Sequence, residues 1–369
     1  MRRVFVPALF VWLVAGLVGS LIMGEPANAQ APGVTWTPQP SGVTVRLRGV
    51  SAVWAEVAWA SGAQGTVLRT ADGGRTWQRV TVPGAETLDF RDIDALDART
   101  AVVLSIGTGE ASRIYRTDDA GATWTERFRN TEQKAFFDAM TFADASHGAA
   151  VSDSVDGRFV ILLTADGGRT WTPVPADRLP PALPGEGAFA ASGSNVAMVG
   201  ATHLWFATTR SRVLRSSDGG RTWSVHQTPI ATGEATGIFS VAFRDTRHGV
   251  VVGGNYADEG GRGDHVAITT NGGESWTRPT GTGVTGFRSA VAALSTLAQT
   301  WLAVGPAGAD WSIDDGTTWL PAGGDGYDAV SLVRAAGVGW ATGAGGRIAR
   351  VTLIESRALL ATALATPAP

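Results

Sequence analysis

A short pattern of Ser or Thr, any residue, Asp, any residue, Gly, any two residues and Trp returns down the chain. Its first copy is Thr70-Ala71-Asp72-Gly73-Gly74-Arg75-Thr76-Trp77. The acid recurs at Asp119, Asp166, Asp218 and Asp314, with Asn271 in the same place in one further copy. The closing residues are Trp77, Trp124, Trp171, Trp223, Trp276 and Trp319, spaced by 43 to 53 residues, which is the period of propeller blades rather than of helical repeats.

The pattern has a physical reading. A short carboxylate accepts hydrogen bonds from backbone N–H groups one to three residues on and closes a tight turn, and the glycines supply positive φ. An Asn amide oxygen does the same, so Asn271 is expected to cost little. The Trp that follows begins a strand and packs a large apolar ring where sheets meet. Six copies around a ring cannot all face one site, so Asp72, Asp119, Asp166, Asp218, Asn271 and Asp314 are expected to be structural and not to bind metal.

Composition agrees with short strands joined by many turns: 48 Gly and 17 Pro among 369 residues, 14 Trp and only 17% charged residues. A net charge of −3 argues against a dedicated nucleic-acid binder. Cysteine is absent, and a large propeller core needs no disulfide.

Residues 1–29 read as an export signal. Arg2 and Arg3 form a basic start, Val4 to Met23 is uncharged and apolar, and Ala27-Asn28-Ala29 is a small-x-small site with cleavage expected after Ala29. Arg2-Arg3-Val4-Phe5 half matches a twin-arginine signal, and the apolar run, if uncleaved, is long enough to anchor the chain in a bilayer. Either route predicts a periplasmic or secreted protein. Residues 30–352 are expected to form the propeller and 353–369 a flexible tail.

Each repeat reads as four strands. In the first these are Leu47 to Val53, Glu56 to Ala60, Thr66 to Thr70 and, after the Asp turn, Trp77 to Val80. Later blades are expected to begin at Leu88, Phe136, near Ala188-Phe189-Ala190, at Ile238 and at Phe287. A seventh, starting at Tyr327-Asp328-Ala329-Val330, lacks an Asp turn and a closing Trp strand. Thr35-Trp36-Thr37-Pro38 matches that missing strand, because it looks like Trp171-Thr172-Pro173. The expected fold is therefore an all-β, seven-bladed propeller of four-stranded antiparallel blades, its ring closed by the N-terminal strand.

The Asp boxes, with the upstream patterns Phe142-Ala143-Asp144-Ala145-Ser146-His147-Gly148 and Phe243-Arg244-Asp245-Thr246-Arg247-His248-Gly249, resemble the photosystem II assembly/stability factor-like family. That family belongs to the wider group of bacterial neuraminidase repeat propellers, and the resemblance covers nearly all of residues 33–352. It implies a seven-bladed, non-enzymatic assembly protein without a cofactor. Asp boxes also occur in sialidases, other glycosidases and sortilin-type receptors, so the resemblance carries fold and non-enzymatic character but not the photosystem.

Aligning the first strand of each blade places Arg48, Arg91, Phe137, Phe189, Phe239, Arg288 and Asp328 at one position. Arg48, Arg91, Arg288 and Asp328 fall on adjacent blades of the closed ring, so a basic arc with one acid is expected at the channel mouth. Guanidinium groups grip carboxylates bidentately, which suits an acidic peptide. The plainer reading is that each Arg pairs with a nearby acid or packs its stem between blades.

Two other functions compete. Asp92 on blade two and Asp138 on blade three are acids on neighbouring inner strands, as in a glycosidase, and Tyr327 is the tyrosine closest to a channel strand. Trp205, Trp301 and Trp311 lie outside the Asp boxes and would be stacking platforms in a glycan-binding lectin. The glycine-rich insertion from Gly253 to His265 matches no calcium-loop spacing and reads as a solvated loop able to contact a partner. The expected protein is a monomer that binds a partner in the cell envelope and helps assemble or stabilise a complex there, with a glycan as the alternative ligand.

Overall fold

The structure, a computed structural model, describes residues 33–294, 299–333 and 336–354. The export signal and residues 355–369 of the tail lie outside the described residues.

Seven antiparallel sheets form the ring. The innermost strands, in blade order, are Leu47–Ala52, Asp89–Ala95, Phe137–Phe142, Val196–Val199, Thr236–Phe243, Ala290–Ala293 and Ala329–Val333. Six sheets have four strands. Blade five has three, its outer edge reduced to a single bridge between Ile268 and Thr277. Large apolar side chains, among them Trp59, Trp205, Trp301 and Trp340, are fully buried within and between the blades.

Closure comes from the N-terminal strand. Gly33–Gln39 pairs along its whole length with Ile348–Ile354, the third strand of blade seven, from Gly33 opposite Ile354 to Gln39 opposite Ile348. Trp36 stacks on Tyr327 with ring centroids 4.8 Å apart, and its Nε1 donates to the Ala322 carbonyl at 2.8 Å. The Gln39 amide oxygen accepts from both Trp77 and Trp340, each at 3.0 Å, which ties the closing strand to blades one and seven together.

The Asp turns are built with a wider span than the expected one to three residues. Asp72 accepts from the Thr76 backbone N–H at 3.0 Å and the Thr76 hydroxyl at 2.7 Å, four residues on. The Thr70 hydroxyl donates to Asp72 at 2.9 Å and accepts from the Gly74 N–H at 2.9 Å, so the first residue of the pattern locks the turn from within. Gly74 itself has φ +83°, a region a side chain would strain. Asn271 copies the arrangement: its amide oxygen accepts from Thr269 and from the Ser275 N–H, and its amide nitrogen donates to the Ser275 hydroxyl.

Inner strands expose a free edge to the channel, and polar side chains of the preceding blade satisfy it. The hydroxyl of Ser331 accepts from the Ala52 N–H, that of Ser51 from the Ala95 N–H and that of Ser240 from the Val291 N–H, each at 3.0 Å. Asp92 and Asp94 do the same for Met140 and Phe142, at 2.6 and 2.8 Å.

Blade four departs from expectation. Ala188-Phe189-Ala190 does not begin its inner strand, which is Val196–Val199. The preceding segment crosses the channel instead. The Ala188 N–H donates to Asp153 of blade three, Ala190 accepts from Arg91 of blade two, and the Ser192 hydroxyl donates to the Ser289 carbonyl of blade six. Ser194 reaches Ser240 of blade five at 2.8 Å. At Gly193 a Cβ would come within 2.3 Å of the Asp92 carboxyl carbon, so only glycine lets this plug lie flat against blade two. The small residues read from the sequence as a strand are the small residues a narrow channel admits.

The Asp turns have a pH signature. Hydrogen bonds from the Thr76 hydroxyl and backbone hold Asp72 down to about 2, against 3.8 for a free carboxyl. A depressed folded value means that the stabilisation is present above 3.8 and is lost as pH falls towards about 2. Asp72→Ala is therefore expected to lower the melting temperature by a few degrees at neutral pH, and the gap to wild type should close between those two pH values. Asp72→Asn should retain most of the stability. Thermal melts from pH 7 to pH 2 check both.

Candidate functional site

Four inner strands carry a bulge near their start, and each bulge aims one residue towards the channel. Register shifts fall at Arg48 between Leu47 and Gly49, at Arg91 between Phe90 and Asp92, at Asp138 between Phe137 and Ala139, and at Phe239 between Ile238 and Ser240. A Cβ on Gly62, Gly253 or Gly305 would strike the carbonyl of Arg46, Gly237 or Phe287 respectively, which fixes the register of blade six against blades one and five. The equivalent residues are thus Arg48, Arg91, Asp138, Phe239, Ser289 and Asp328. The sequence alignment was one residue out in blades three and six.

The shift matters most for Arg288. It takes the core position filled by Leu47, Phe90 and Ile238 in other blades, and is 2% exposed. Its charge is met by Asp310, 0% exposed and 2.6 Å away, and its other donors reach Thr285 and the Phe287 carbonyl. Arg288 therefore belongs to the interior of blade six and does not line the channel mouth. The first-strand alignment had no means of seeing Asp310, which is on the third strand.

Arg48, Arg91 and Asp328 do come together. They line a cavity of about 410 Å³ with Arg46, Phe189, Phe239, Tyr256, Glu259, Phe287 and the plug residues Ala190 and Ala191. Arg46 escaped the sequence reading, although strand alternation puts residues 46 and 48 on one side. It grips Asp328 bidentately, at 2.7 and 2.6 Å. Arg91 is held by Asp89 at 3.0 Å and by the Ala190 carbonyl at 2.5 Å. Asp328 is thus neutralised by Arg46, which leaves Arg48 as the one arginine of the cavity without an acid bonded to it among the described residues.

Arg48 differs from its neighbours. No described residue gives it a hydrogen bond or an ion pair, and it is half-buried between two other cations. Burial, then repulsion from Arg91 and Arg46, lowers it to about 10, so it remains a cation at neutral pH but an unfavourable one. A guanidinium brings five donors in a fixed fork, and here that fork faces the open cavity. The facing wall is aromatic: Phe189 and Phe239 stack at 3.8 Å, with Tyr256 edge-on to both and Phe287 edge-on to Phe239. Tyr256 and Glu259 come from the glycine-rich insertion, which is pinned by hydrogen bonds from Tyr256 to Ala235 and from Phe287 to Glu259.

The acids expected for glycoside cleavage, Asp92 and Asp138, are buried, Asp92 against Gly193 of the plug. Burial raises Asp92 and Asp138 well above the ordinary carboxylate range, helped by Asp94 and Asp153 respectively, and burial takes Asp94 to about 7. Asp92 and Asp94 are occupied as caps of the neighbouring strand. Tyr327 is 2% exposed, stacked on Trp36 in the core of blade seven. Trp205, Trp301 and Trp311 are also buried, so none of the three presents a stacking face.

The family model described as photosynthesis system II assembly factor YCF48 matches residues 27–175. The resemblance to photosystem II assembly-factor propellers holds. A solved structure of YCF48 bound to a D1 peptide is 16% identical, with 89% of this chain and 99% of that one covered and a TM-score of 0.60. YCF48 from Cyanidioschyzon merolae is 18% identical over 85% of this chain and 98% of that one, with a TM-score of 0.61. An ancestral GH74 enzyme shares the fold at 13% identity, over 85% of this chain and 46% of that one, with a TM-score of 0.58. No curated protein sequence matches the chain.

A half-buried guanidinium beside other cations, with no acid bonded to it, costs stability in the free protein. Arg48→Met is expected to raise the melting temperature of the free protein by about 2 °C or more while removing affinity for a carboxylate ligand. Parallel thermal melts and peptide titration check this pairing of effects. A fall in melting temperature would mean that Arg48 is structural.

Proposed function

We propose that this protein is an exported, non-catalytic propeller that binds an acidic segment of a partner protein at its channel mouth and thereby aids assembly or stability of a cell-envelope complex. One observation carries the reading. Arg48 is a cation without a partner among the described residues, held beside Arg46 and Arg91 and opposite an aromatic wall, in an open cavity on a rigid ring. A carboxylate fits the guanidinium fork, and a neighbouring apolar side chain fits the Phe189, Phe239 and Phe287 wall. The solved YCF48 complex with a D1 peptide supports a peptide as the class of ligand for such a ring. The basic start, apolar run and Ala27-Asn28-Ala29 site support a periplasmic or secreted location, and the closed ring supports action as a monomer.

Glycan cleavage and glycan binding gain no comparable support. The GH74 likeness is one of fold, and fold does not carry chemistry.

Crosslinked co-purification from the native envelope tests the proposal, with wild type beside Arg48→Glu/Arg91→Glu. Circular dichroism establishes that the variant is folded. A defined protein partner captured by wild type and lost by the folded variant is the expected result. Equal capture by both would remove the channel mouth from the account.

A further inference from the structure

On the face opposite the arginine cavity, each Asp turn packs against the preceding blade, and the junctions share a device. A polar side chain from one blade donates to, or pairs with, the loop of the next. Between blades two and three, Arg116 donates to the Gly167 carbonyl. Between four and five, Arg215 and Trp205 both donate to the Gly272 carbonyl, at 2.8 and 2.7 Å. Between five and six, Arg244 pairs bidentately with Asp315 at 2.8 and 2.7 Å. Between one and two, Arg69 donates to the Ala98 carbonyl, and between seven and one, Gln39 donates to Gly73 at 3.0 Å.

The junction of blades three and four lacks every one of these donors. Leu163 directly precedes its Asp-box Thr, as Arg116 and Arg215 precede theirs. Ala149 pairs with Leu163 in the register in which Trp205 pairs with Arg215. Ala143 follows Phe142 as Arg244 follows Phe243. No described side chain donates to the carbonyl of Gly219, the counterpart of Gly167 and Gly272. A cavity of about 330 Å³ opens there, lined by Leu163, Met198 and Leu204 at its apolar side and by His147, Asp166 and Gly219 at its polar side.

We propose that this junction is a receptor for an arginine side chain of a bound protein, whose guanidinium donates to the Gly219 carbonyl as Arg116 and Arg215 do to theirs. The apolar side accepts the methylene stem, and the Asp166 carboxylate supplies the complementary charge. The chain thus recognises in a partner the group it supplies itself at the sister junctions. This site is independent of the channel mouth, because the blade ends that carry the two cavities are opposite.

The probe is N-acetyl-arginine amide, with N-acetyl-norleucine amide as the uncharged control, titrated into the isotopically labelled protein and followed by NMR. Saturable shifts at the Gly219 amide and its neighbours are expected, with affinity for the arginine probe about tenfold or more above the control. Leu163→Arg places a resident guanidinium in the cavity and should abolish those shifts. Ala143→Arg, built on the Arg244 geometry, should do the same and serves where the first variant fails to fold. Equal response to the two probes, or unchanged shifts in either folded variant, overturns the proposal.

Discussion

Everything in this molecule depends on closing a ring of seven sheets with one strand from the far end of the chain. The pairing of Gly33–Gln39 with Ile348–Ile354 joins residues more than three hundred positions apart, and Gln39 then binds tryptophans on both sides of the seam. Loop-closure entropy grows only slowly with separation, so such a seam is affordable once blades are stacked. Closure also completes the fourth strand of blade seven and leaves only short, protected sheet edges. It fixes the diameter of the channel, and the diameter dictates what fills it.

A narrow channel concentrates whatever the inner strands aim inward. Four of those strands open with a bulge, and the bulges turn Arg48, Arg91, Asp138 and Phe239 towards one axis. Charges that would be far apart on a flat sheet are thereby forced into proximity. Asp328 finds Arg46, Arg91 finds Asp89 and the plug, and Arg48 is left over. The plug from blade four supplies the floor and one aromatic wall, so the cavity is shallow and faces solvent instead of running through the ring.

The repeat was fully legible in the sequence because its physics is local. Each Asp turn is closed by groups within four residues, so the spacing alone reveals it, and the Trp period then gives six of the seven blades. The closing strand was legible for the same reason, through the likeness of Trp36-Thr37-Pro38 to Trp171-Thr172-Pro173. The site was only partly legible, because it depends on register. Strand residues alternate sides, so a one-residue error exchanges core for channel. That error promoted Arg288, whose ion pair with Asp310 joins the start of the first strand to the third, and it set Phe137 in the place of Asp138 and left out Ser289. Phe189 was assigned to the channel correctly but for the wrong reason, since it arrives on the plug and not on a strand. Arg46 was missed because its partner, Asp328, is brought to it only by ring closure. The vacancy between blades three and four is likewise invisible until Leu163, Ala149 and Ala143 are seen to share one junction.

On the proposed reading, Arg48 stays unpaired to meet a carboxylate that arrives from outside. A double-mutant cycle tests it most directly, pairing Arg48→Met with Asp→Asn or Glu→Gln changes in the acidic segment of the captured partner, read as changes in binding affinity. The account predicts strong non-additivity at one acidic position, a coupling of about 1 kcal/mol or more, because each change removes the same contact. Additive effects at every acidic position would contradict it and leave Arg48 without a ligand.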